Sequence, residues 1–332
     1  MLSRPKRYIK RSLKLSQVED TADKVNVALN RLDSLGHAFN EYRDYSTRNI
    51  ENLKLALGRL ERRQTSNLKS LNIQDYEFKV FSQWGEDGII QHLISSIPSI
   101  KKTFVEFGVE DYVESNTRFL LINNNWSGLV IDGSQENVNK IKNSELHWRN
   151  DLTAVCAFVD RDNINRLIKQ NGFAGELGIL SVDIDGNDYW VWQAIDVVNP
   201  QIVIIEYNSR FGYEKAVTIP YRKRFDRRKA HYSMLYAGAS LKAMFDLAKH
   251  KGYFFVGTSS GGNNAFFVRN DLKNSKLPSL SLKDGYSQGK FREARDKSGN
   301  LSYASFAEEQ KILSKLPVVD LDSEAKTKRR SK

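Results

Sequence analysis

The sequence predicts an α/β protein whose core is a doubly wound, mostly parallel β-sheet, preceded by a long helix. Short β-branched and aromatic runs alternate with helix-like stretches, as βαβ units require. A glycine turn follows the first of these runs, and the second ends on an acid. The last two runs are joined by a glycine-rich connection, which favours an antiparallel hairpin. The predicted strands are residues 103–107, 128–132, 152–159, 177–183, 201–206, 252–257 and 263–269.

The composition indicates a globular protein rather than a membrane or disulfide-stabilised one. Of the 332 residues 40% are hydrophobic and 27% charged, so a packed core is feasible without cross-links. The one cysteine, Cys156, lies in a strand-like run, and we expect a buried structural thiol in a reducing compartment. The basic amino terminus lacks the apolar stretch of a secretory signal, and no apolar run is long enough to cross a membrane. We therefore expect a cytoplasmic protein.

Positive charge is concentrated in three segments. The formal net charge is +11, and cations cluster in residues 1–15, 221–229 and 326–332. Such clusters indicate a polyanionic partner: an acidic glycan, the anionic lipids of a membrane surface, or a nucleic acid. A solvated surface without a partner explains any single cluster equally well. Peripheral contact with the inner membrane face is thus one expectation from this charge.

The segment 16–72 carries a sustained seven-residue repeat. With position a at Ala22, nine of the twelve a and d positions are apolar, and the three exceptions lie in the middle. This pattern predicts a coiled coil with a weak centre, broken or loosened near Gly36. Because an apolar seam needs a partner, we expect a homo-oligomer. A single amphipathic helix folded back on the rest of the chain is the alternative.

The stretch 103–133 predicts the cofactor-binding end of the sheet. Gly108 follows the first strand, where a glycine lets the backbone turn tightly beside a ligand. Glu106 and Asp132 stand at the carboxyl ends of the first two strands, where an acid can hydrogen-bond ribose hydroxyls. Asn116 is typical of a helix start. An ordinary turn at Gly108 with a helix cap at Asp132 is the alternative.

An acidic segment follows the predicted fourth strand. Asp183, Asp185 and Asp188 lie within six residues, and such carboxylates repel one another unless they are solvated or bound to a cation. The segment lacks the glycine and glutamate positions of an EF-hand. It can bind Mg²⁺, orient a substrate hydroxyl or act as a general base, whereas a structural turn capped at Asp188 is the alternative. Glu206 and Asn208 end the fifth strand, next to this segment.

The remaining segments predict a helix, a substrate loop and a tail. Residues 81–97 predict a polar turn followed by an amphipathic helix. A long basic connection, residues 209–235, is expected to bind substrate. Its His231 is the best histidine for a base, although a surface histidine is the commoner outcome. Beyond Asp271 the composition predicts a loose, polar tail in which only residues 306–316 are helix-like.

Five βα units followed by a hairpin form the plan of the seven-stranded methyltransferase sheet, and the motifs along it resemble the FkbM-like S-adenosylmethionine (SAM)-dependent methyltransferases. The likeness is greatest to bacterial members found with surface-polysaccharide genes. It implies a class I, Rossmann-like fold and methyl transfer from SAM to a sugar hydroxyl of a polysaccharide or glycolipid. The resemblance is carried by SQWGEDGI (82–89), FVEFGVEDYVESNT (104–117), GLVIDG (128–133), LSVDIDGNDYWVW (180–192) and IVIIEYN (202–208).

The resemblance also implies roles for single residues. In related sugar methyltransferases the acidic cluster after the fourth strand holds a divalent cation. Glu110 and Tyr112 depart from the pattern, because they stand where the family commonly has further glycines. The implied cofactor contacts are Gln83, Glu106, Gly108, Asn116, Asp132 and Asp160, the last of which is equally well explained as a helix cap. The implied catalytic residues are Asp183, Asp185 and His231, and the implied Mg²⁺ ligands are Asp183, Asp185, Glu206 and Asn208.

Two other functions remain open at this point. The net charge suggests an RNA methyltransferase, but enzymes that methylate bases usually hold a flipped base with aromatic residues after the fourth strand, where this chain has DIDGND. Nucleic acid is therefore the less favoured substrate. A non-catalytic scaffold assembled through its coiled coil is the other alternative. The expected domains are a basic segment (1–15), a coiled coil (16–72), a methyltransferase domain (75–272) and a polar, basic tail (273–332).

Overall fold

The computed structural model describes residues 4–323. The chain divides into two compact units, residues 1–56 and 57–332. The basic side chains before residue 18 and the basic tail after residue 323 lie outside the described part, so the expectations about those two clusters stay predictions. In the described part no helix is both long and apolar enough to cross a bilayer.

The residues that the structure describes form eleven α-helices and nine β-strands. The helices are α1 (Arg4–Thr65), α2 (Glu86–Ser96), α3 (Arg118–Asn124), α4 (Gln135–Asn143), α5 (Glu145–Arg149), α6 (Ile164–Gln170), α7 (Asp188–Ala194), α8 (Arg227–Ala230), α9 (Leu241–His250), α10 (Leu282–Gly285) and α11 (Phe306–Leu313). The strands are β1 (Thr103–Phe107), β2 (Ser127–Asp132), β3 (Leu152–Cys156), β4 (Gly175–Val182), β5 (Val198–Glu206), β6 (Val217–Thr218), β7 (Tyr253–Thr258), β8 (Asn264–Arg269) and β9 (Val319–Asp320).

Seven strands form one sheet in the order β3-β2-β1-β4-β5-β8-β7. The first five are parallel to one another, and β8 lies antiparallel to both β5 and β7. The order reverses between β1 and β4, and a crevice at the carboxyl ends of strands is the usual ligand site of such a sheet. This topology is that of the class I methyltransferase Rossmann-like sheet, which confirms the predicted fold class.

Alternating side chains of the strands feed two apolar layers, one on each face of the sheet. On β1, Val105 and Phe107 belong to one layer, whereas Phe104 belongs to the other, which also contains Ile179 and Ile204. Because side chains alternate along a strand, the residue two positions beyond each member of a layer points to the same face. This alternation decides where the polar residues at the strand ends lie.

The helix α1 is continuous over its 62 residues, so the predicted break near Gly36 is wrong. Its apolar seam is exposed: Leu32 is 63% exposed, Phe39 66% and Leu53 64%. Exposed apolar rows of this kind are typical of helices that associate with a partner. The predicted oligomer therefore stays a prediction.

Residues 273–323 do not form the loose tail that their composition predicted. They contain α10, α11 and β9, and three of their apolar side chains (Leu277, Ala294 and Leu313) are buried. A buried ion pair between Arg210 Nε and Glu309 Oε2, at 2.7 Å, joins α11 to the segment that follows β5. Composition misled the prediction because a few buried apolar side chains and this one buried ion pair hold a region whose other charges are mostly exposed.

The predicted burial of Cys156 is also wrong. β3 ends at this residue, earlier than the predicted end at 159, and the thiol is exposed. The chain there leaves the sheet, so the side chain is not covered by a neighbouring layer.

Candidate active site

Polar side chains occupy one face of the sheet at the carboxyl ends of neighbouring strands. Glu106 of β1 pairs in register with Ser181 of β4, and Ser181 pairs with Ile204 of β5. Since Phe104, Ile179 and Ile204 belong to one apolar layer, the residues two positions further along point to the same face. These residues are Glu106, Ser181 and Glu206, and Asp183 follows directly after β4.

Gly108 makes the turn after β1 and touches the chain leaving β4. Its φ of +72° lies in the left-handed region, and a Cβ there would be 1.7 Å from the carbonyl oxygen of Asp183. Its N–H donates to the Ile131 carbonyl at 2.9 Å. A glycine is therefore required for both conformation and space. The turn thus joins the ends of β1, β2 and β4.

Glu110 and Tyr112, which depart from the glycine pattern expected from the sequence, also adopt left-handed backbone, with φ of 49° and 63°. The N–H of Glu110 donates to Asp132 Oδ2 at 2.9 Å, and the Tyr112 hydroxyl is hydrogen-bonded to Thr117 Oγ1 at 2.8 Å. These hydrogen bonds stabilise a conformation that non-glycine residues rarely adopt. The departure in sequence therefore leaves a left-handed turn in place.

The carboxylate of Asp132 is fixed at the end of β2, beside that turn. Its Oδ1 accepts from the Ser134 N–H at 2.8 Å and from Asn137 Nδ2 at 3.2 Å. At the end of β3, Asp160 Oδ1 accepts from the N–H groups of Asp162 and Asn163, both at 2.9 Å. Asp160 therefore stabilises the turn before α6, whose N-terminal cap residue is Asn163, and its expected contact with adenine stays a prediction.

Glu106 is buried and organises the start of α3. Its Oε1 accepts from the Asn116 N–H at 2.9 Å, and its Oε2 accepts from the N–H and the hydroxyl of Thr117. Burial raises the pKa of Glu106. The Asn116 side chain donates to Ser181 Oγ at 3.1 Å. Glu106 and Asn116 thus join β1, β4 and the start of α3.

The side chain of Gln83, an expected cofactor contact, is exposed. Its carbonyl oxygen accepts a hydrogen bond from Asn263 Nδ2 at 3.0 Å.

Three carboxylates meet at the ends of β4 and β5. Ligand atoms of Asp183, Asp188 and Glu206 lie within 4.8 Å of one another. Asp183 and Glu206 are thus close enough for their negative charges to repel each other, which favours a proton on one of them. Burial, then the neighbouring carboxylates, raises the pKa of both groups well above the ordinary value. Asp188 accepts from the N–H groups of Ile184 and Gly186, each at 2.8 Å, and burial raises its pKa to about 6.

Asp185 does not join this cluster. Its backbone is left-handed with φ of 55°, and its exposed carboxylate lies 2.5 Å from Arg227 Nη1. The other terminal nitrogen of Arg227, Nη2, lies 2.8 Å from Glu293 Oε2. Asp185 is therefore the end of a chain of ion pairs that reaches residues after β8.

Asn208 and His231 make other contacts. The Asn208 Oδ1 accepts from the Arg210 N–H at 3.2 Å, and its Nδ2 donates to the carbonyls of Leu235 and Ala237. These bonds position the segment before α9. His231 Nδ1 lies 2.8 Å from Ser233 Oγ, and burial lowers the pKa of the imidazole. The role of Asn208 as a metal ligand and the role of His231 as a base therefore stay predictions.

Asp188 was counted in the acidic segment, with a helix cap as the alternative, but it was not named among the expected metal ligands. It lies in the first turn of α7. The signal in the sequence was the spacing from Asp183, because one turn folds the chain back and brings the two carboxylates together. Glu293 gave no signal, since it belongs to a region with tail-like composition.

No protein-family model matches the chain, and a search of curated proteins finds no match. Solved structures with a similar fold were found. A SAM-dependent methyltransferase from Clostridium acetobutylicum is 9% identical, with a TM-score of 0.37, over 55% of this chain and 90% of that one. The O-methyltransferase from Bacillus cereus in complex with S-adenosylhomocysteine (SAH) is 11% identical, with a TM-score of 0.36, over 64% of this chain and 88% of that one. TrmK from M. capricolum in complex with SAH is 10% identical, with a TM-score of 0.31, over 68% of this chain and 87% of that one. Similarity at this level carries no conclusion about activity, which has to be argued from the site.

Proposed function

We propose that this protein is a SAM-dependent O-methyltransferase that methylates a sugar hydroxyl of a polysaccharide or glycolipid. One observation carries the proposal: the clustered carboxylates of Asp183, Asp188 and Glu206 lie at the carboxyl edge of the sheet. There the left-handed turn at Gly108 contacts Asp183 directly. A cofactor beside the turn and an acceptor beside the carboxylates would therefore be neighbours.

The cofactor is assigned to the ends of β1 and β2. SAM has no phosphate, so it needs open space and hydrogen-bond acceptors rather than an anion cradle. The left-handed turn 108–112 provides a close backbone approach, and Asp132 provides a fixed carboxylate for ribose hydroxyls.

The acceptor hydroxyl is assigned to the ends of β4 and β5. Its oxygen attacks the methyl carbon, the bond between that carbon and the sulfonium sulfur breaks, and the hydroxyl proton passes to the ionised member of the Asp183–Glu206 pair. A carboxylate with a raised pKa is a better proton acceptor than an ordinary one. Alignment of the hydroxyl supplies the rest of the rate acceleration.

The same carboxylates fit a divalent cation. Asp183, Asp188 and Glu206 offer only oxygen atoms, the ligand type that Mg²⁺ prefers. A bound cation would lower the pKa of the acceptor hydroxyl. In that case Asp185 and Asn208, which have other partners, would not be among the ligands.

The substrate and the assembly are proposed on charge and exposure. The basic residues of 221–229 adjoin the acidic segment through Arg227, and favour an acidic glycan or a glycolipid in an anionic membrane surface. The exposed seam of α1 favours a homo-oligomer.

Calorimetry with SAM and SAH tests the cofactor assignment, and we expect binding of one molecule per chain. Labelled SAM incubated with polysaccharide and glycolipid fractions, with and without EDTA, tests the acceptor and the cation. Absence of SAM binding would remove the proposal. Steeply salt-dependent methylation of RNA would replace the sugar by a nucleic acid.

A further inference from the structure

The segment Ile219–Arg227, here named the strap, crosses the carboxyl edge of the sheet. At the end of β3 its Lys223 Nζ lies 3.4 Å from Asp162 Oδ2. At the end of β4 its Arg227 pairs with Asp185. The strap therefore spans the ends of two strands between which the cofactor is proposed to bind.

The strap is held between these points by side chains of α7 and the acidic turn. Asn187 Nδ2 donates to the Arg222 carbonyl at 2.7 Å, and Trp190 Nε1 donates to the Ile219 carbonyl at 2.9 Å. The ring of Phe225 is buried against Gly186, where a Cβ would lie 2.2 Å from the ring. These contacts fix the position of Tyr221, whose ring lies under the guanidinium of Arg161 at 3.9 Å.

Two buried polar atoms at the strap have no hydrogen-bond partner: the hydroxyl of Tyr221 and Oδ1 of Asn187. Other buried tyrosine hydroxyls of the chain are satisfied; those of Tyr253 and Tyr286, for example, donate to backbone carbonyls at 2.8 Å. An unpaired buried polar group destabilises the conformation that buries it. The closed strap is thus incomplete until something else supplies partners.

The surroundings of these atoms match the adenine end of the proposed cofactor. The ring of Tyr221 lies against the guanidinium of Arg161, which follows β3, so this side chain lies near the end of β3. There Phe158 is 47% exposed, and a Cβ at Gly133, next to Asp132, would contact its ring at 3.6 Å. An exposed aromatic ring beside a ribose-binding carboxylate is suited to stack on a base.

We propose that the strap closes over the adenine ring of bound SAM, with Tyr221 and Asn187 hydrogen-bonding it. Both unpaired atoms can accept, and the exocyclic amino group of adenine carries two N–H donors. Both atoms are covered in this conformation, so the strap opens to admit the cofactor and closes on it. This inference rests on the proposed function and adds cofactor contacts that come from the connection after β5.

The test is the affinity for SAH, measured by calorimetry on the full chain, with Tyr221→Phe against Tyr232→Phe. Tyr232 is 42% exposed and lies outside the strap, so its substitution removes a hydroxyl without changing Tyr221 or Asn187. We expect Tyr221→Phe to weaken SAH binding about 5- to 20-fold and Tyr232→Phe to leave it unchanged. The melting temperature of ligand-free Tyr221→Phe should be equal to or higher than that of the wild type, because the lost hydroxyl had no partner.

A second measurement follows the strap itself. Arg222, Lys223 and Arg224 offer trypsin sites there, and SAH should slow cleavage at them in the wild type. Unchanged SAH affinity of Tyr221→Phe, a clear loss of its ligand-free stability, or cleavage insensitive to SAH would each overturn the inference. If the wild type binds neither SAM nor SAH, the proposed function fails as well, so the two failures are distinguishable.

Discussion

The α-carbon of Gly108 faces the carbonyl oxygen of Asp183 so closely that a Cβ at position 108 would lie 1.7 Å from it. The turn that adjoins the proposed cofactor and the segment that carries the proposed base are therefore in backbone contact. A change in either one is transmitted to the other without an intervening side chain.

Replacing Gly108 by alanine should destabilise the protein and abolish SAM binding. Left-handed backbone costs an alanine about 1–2 kcal/mol, and the collision with Asp183 adds about 1–3 kcal/mol. Gly172→Ala is the matched control, because its φ is +82° but nothing lies within 4 Å of the added Cβ. Urea unfolding should show the larger loss for Gly108→Ala. Equal losses would contradict the close approach.

Replacing Asp183 by asparagine should leave SAM binding within about 2-fold of the wild type and reduce methyl transfer about 10²- to 10⁴-fold. The amide keeps the size of the carboxylate but cannot accept the hydroxyl proton. Glu206→Gln should behave alike, and the double variant should be little worse than either single one, since the pair acts as a unit. Labelled-SAM turnover and calorimetry separate the two effects.

Asp185→Asn is the control for that experiment. Asp185 lies outside the cluster and pairs with Arg227, so its substitution should reduce turnover less than about 10-fold. A loss as large as that of Asp183→Asn would show that charge near the strap, rather than the Asp183–Glu206 pair, is what the reaction needs.

The positions of the strands along the chain and the polar residues at their ends were predictable from the sequence, because β-branched runs, glycine turns and terminal acids are local signals. Contacts between distant segments were not predictable. Asn208 was expected to bind metal, yet its amide group donates hydrogen bonds to the carbonyl oxygens of Leu235 and Ala237. Nothing local distinguishes a carboxamide that binds an ion from one that binds backbone. The fold of residues 273–323 was missed for the same reason, since Arg210 is 99 positions from Glu309.

Asp87 should make the stability depend on pH between about 4 and 6. Its Oδ2 accepts from the N–H groups of Val80, Phe81 and Ser82 and from the Ser82 hydroxyl. Burial nevertheless raises its pKa to about 6. The folded state therefore binds more protons than the unfolded state, and this contribution to stability is complete below pH 4 and lost as pH rises through 6.

Asp87→Asn removes that titration and keeps the accepting oxygen. The free energy of unfolding of the wild type should fall by on the order of 1–3 kcal/mol more than that of the variant between pH 4 and 7. Urea unfolding at several pH values measures the difference. Parallel pH profiles of the two proteins would contradict the raised pKa.

Glu309→Gln should destabilise the protein by about 3 kcal/mol, because it leaves the buried guanidinium of Arg210 without its nearest carboxylate. Glu176→Gln is the control, since its pair with Arg269 is at the surface and such pairs contribute less than about 1 kcal/mol. Chemical unfolding compares the two. A negligible effect of Glu309→Gln would mean that α11 does not need this ion pair to pack.

Leu29→Glu combined with Leu32→Glu should reduce the oligomer to a monomer if α1 associates through its seam. Both side chains are more than half exposed in the single chain, so the substitutions remove intermolecular contacts only. Asn30→Glu with Ser34→Glu adds the same charge off the seam and should leave the oligomer intact. Light scattering coupled to gel filtration gives the mass, and equal masses for the two variants would contradict a coiled coil.

The left-handed residues Glu110 and Tyr112 have a consequence for recognising proteins of this kind. A sequence signature that requires glycine at these two positions would not match this chain, although its backbone has the positive φ there that glycine readily adopts. A criterion written in dihedral angles would retrieve it. Such a criterion would also retrieve chains that place side chains at the mouth of the crevice, where a glycine-rich turn has none.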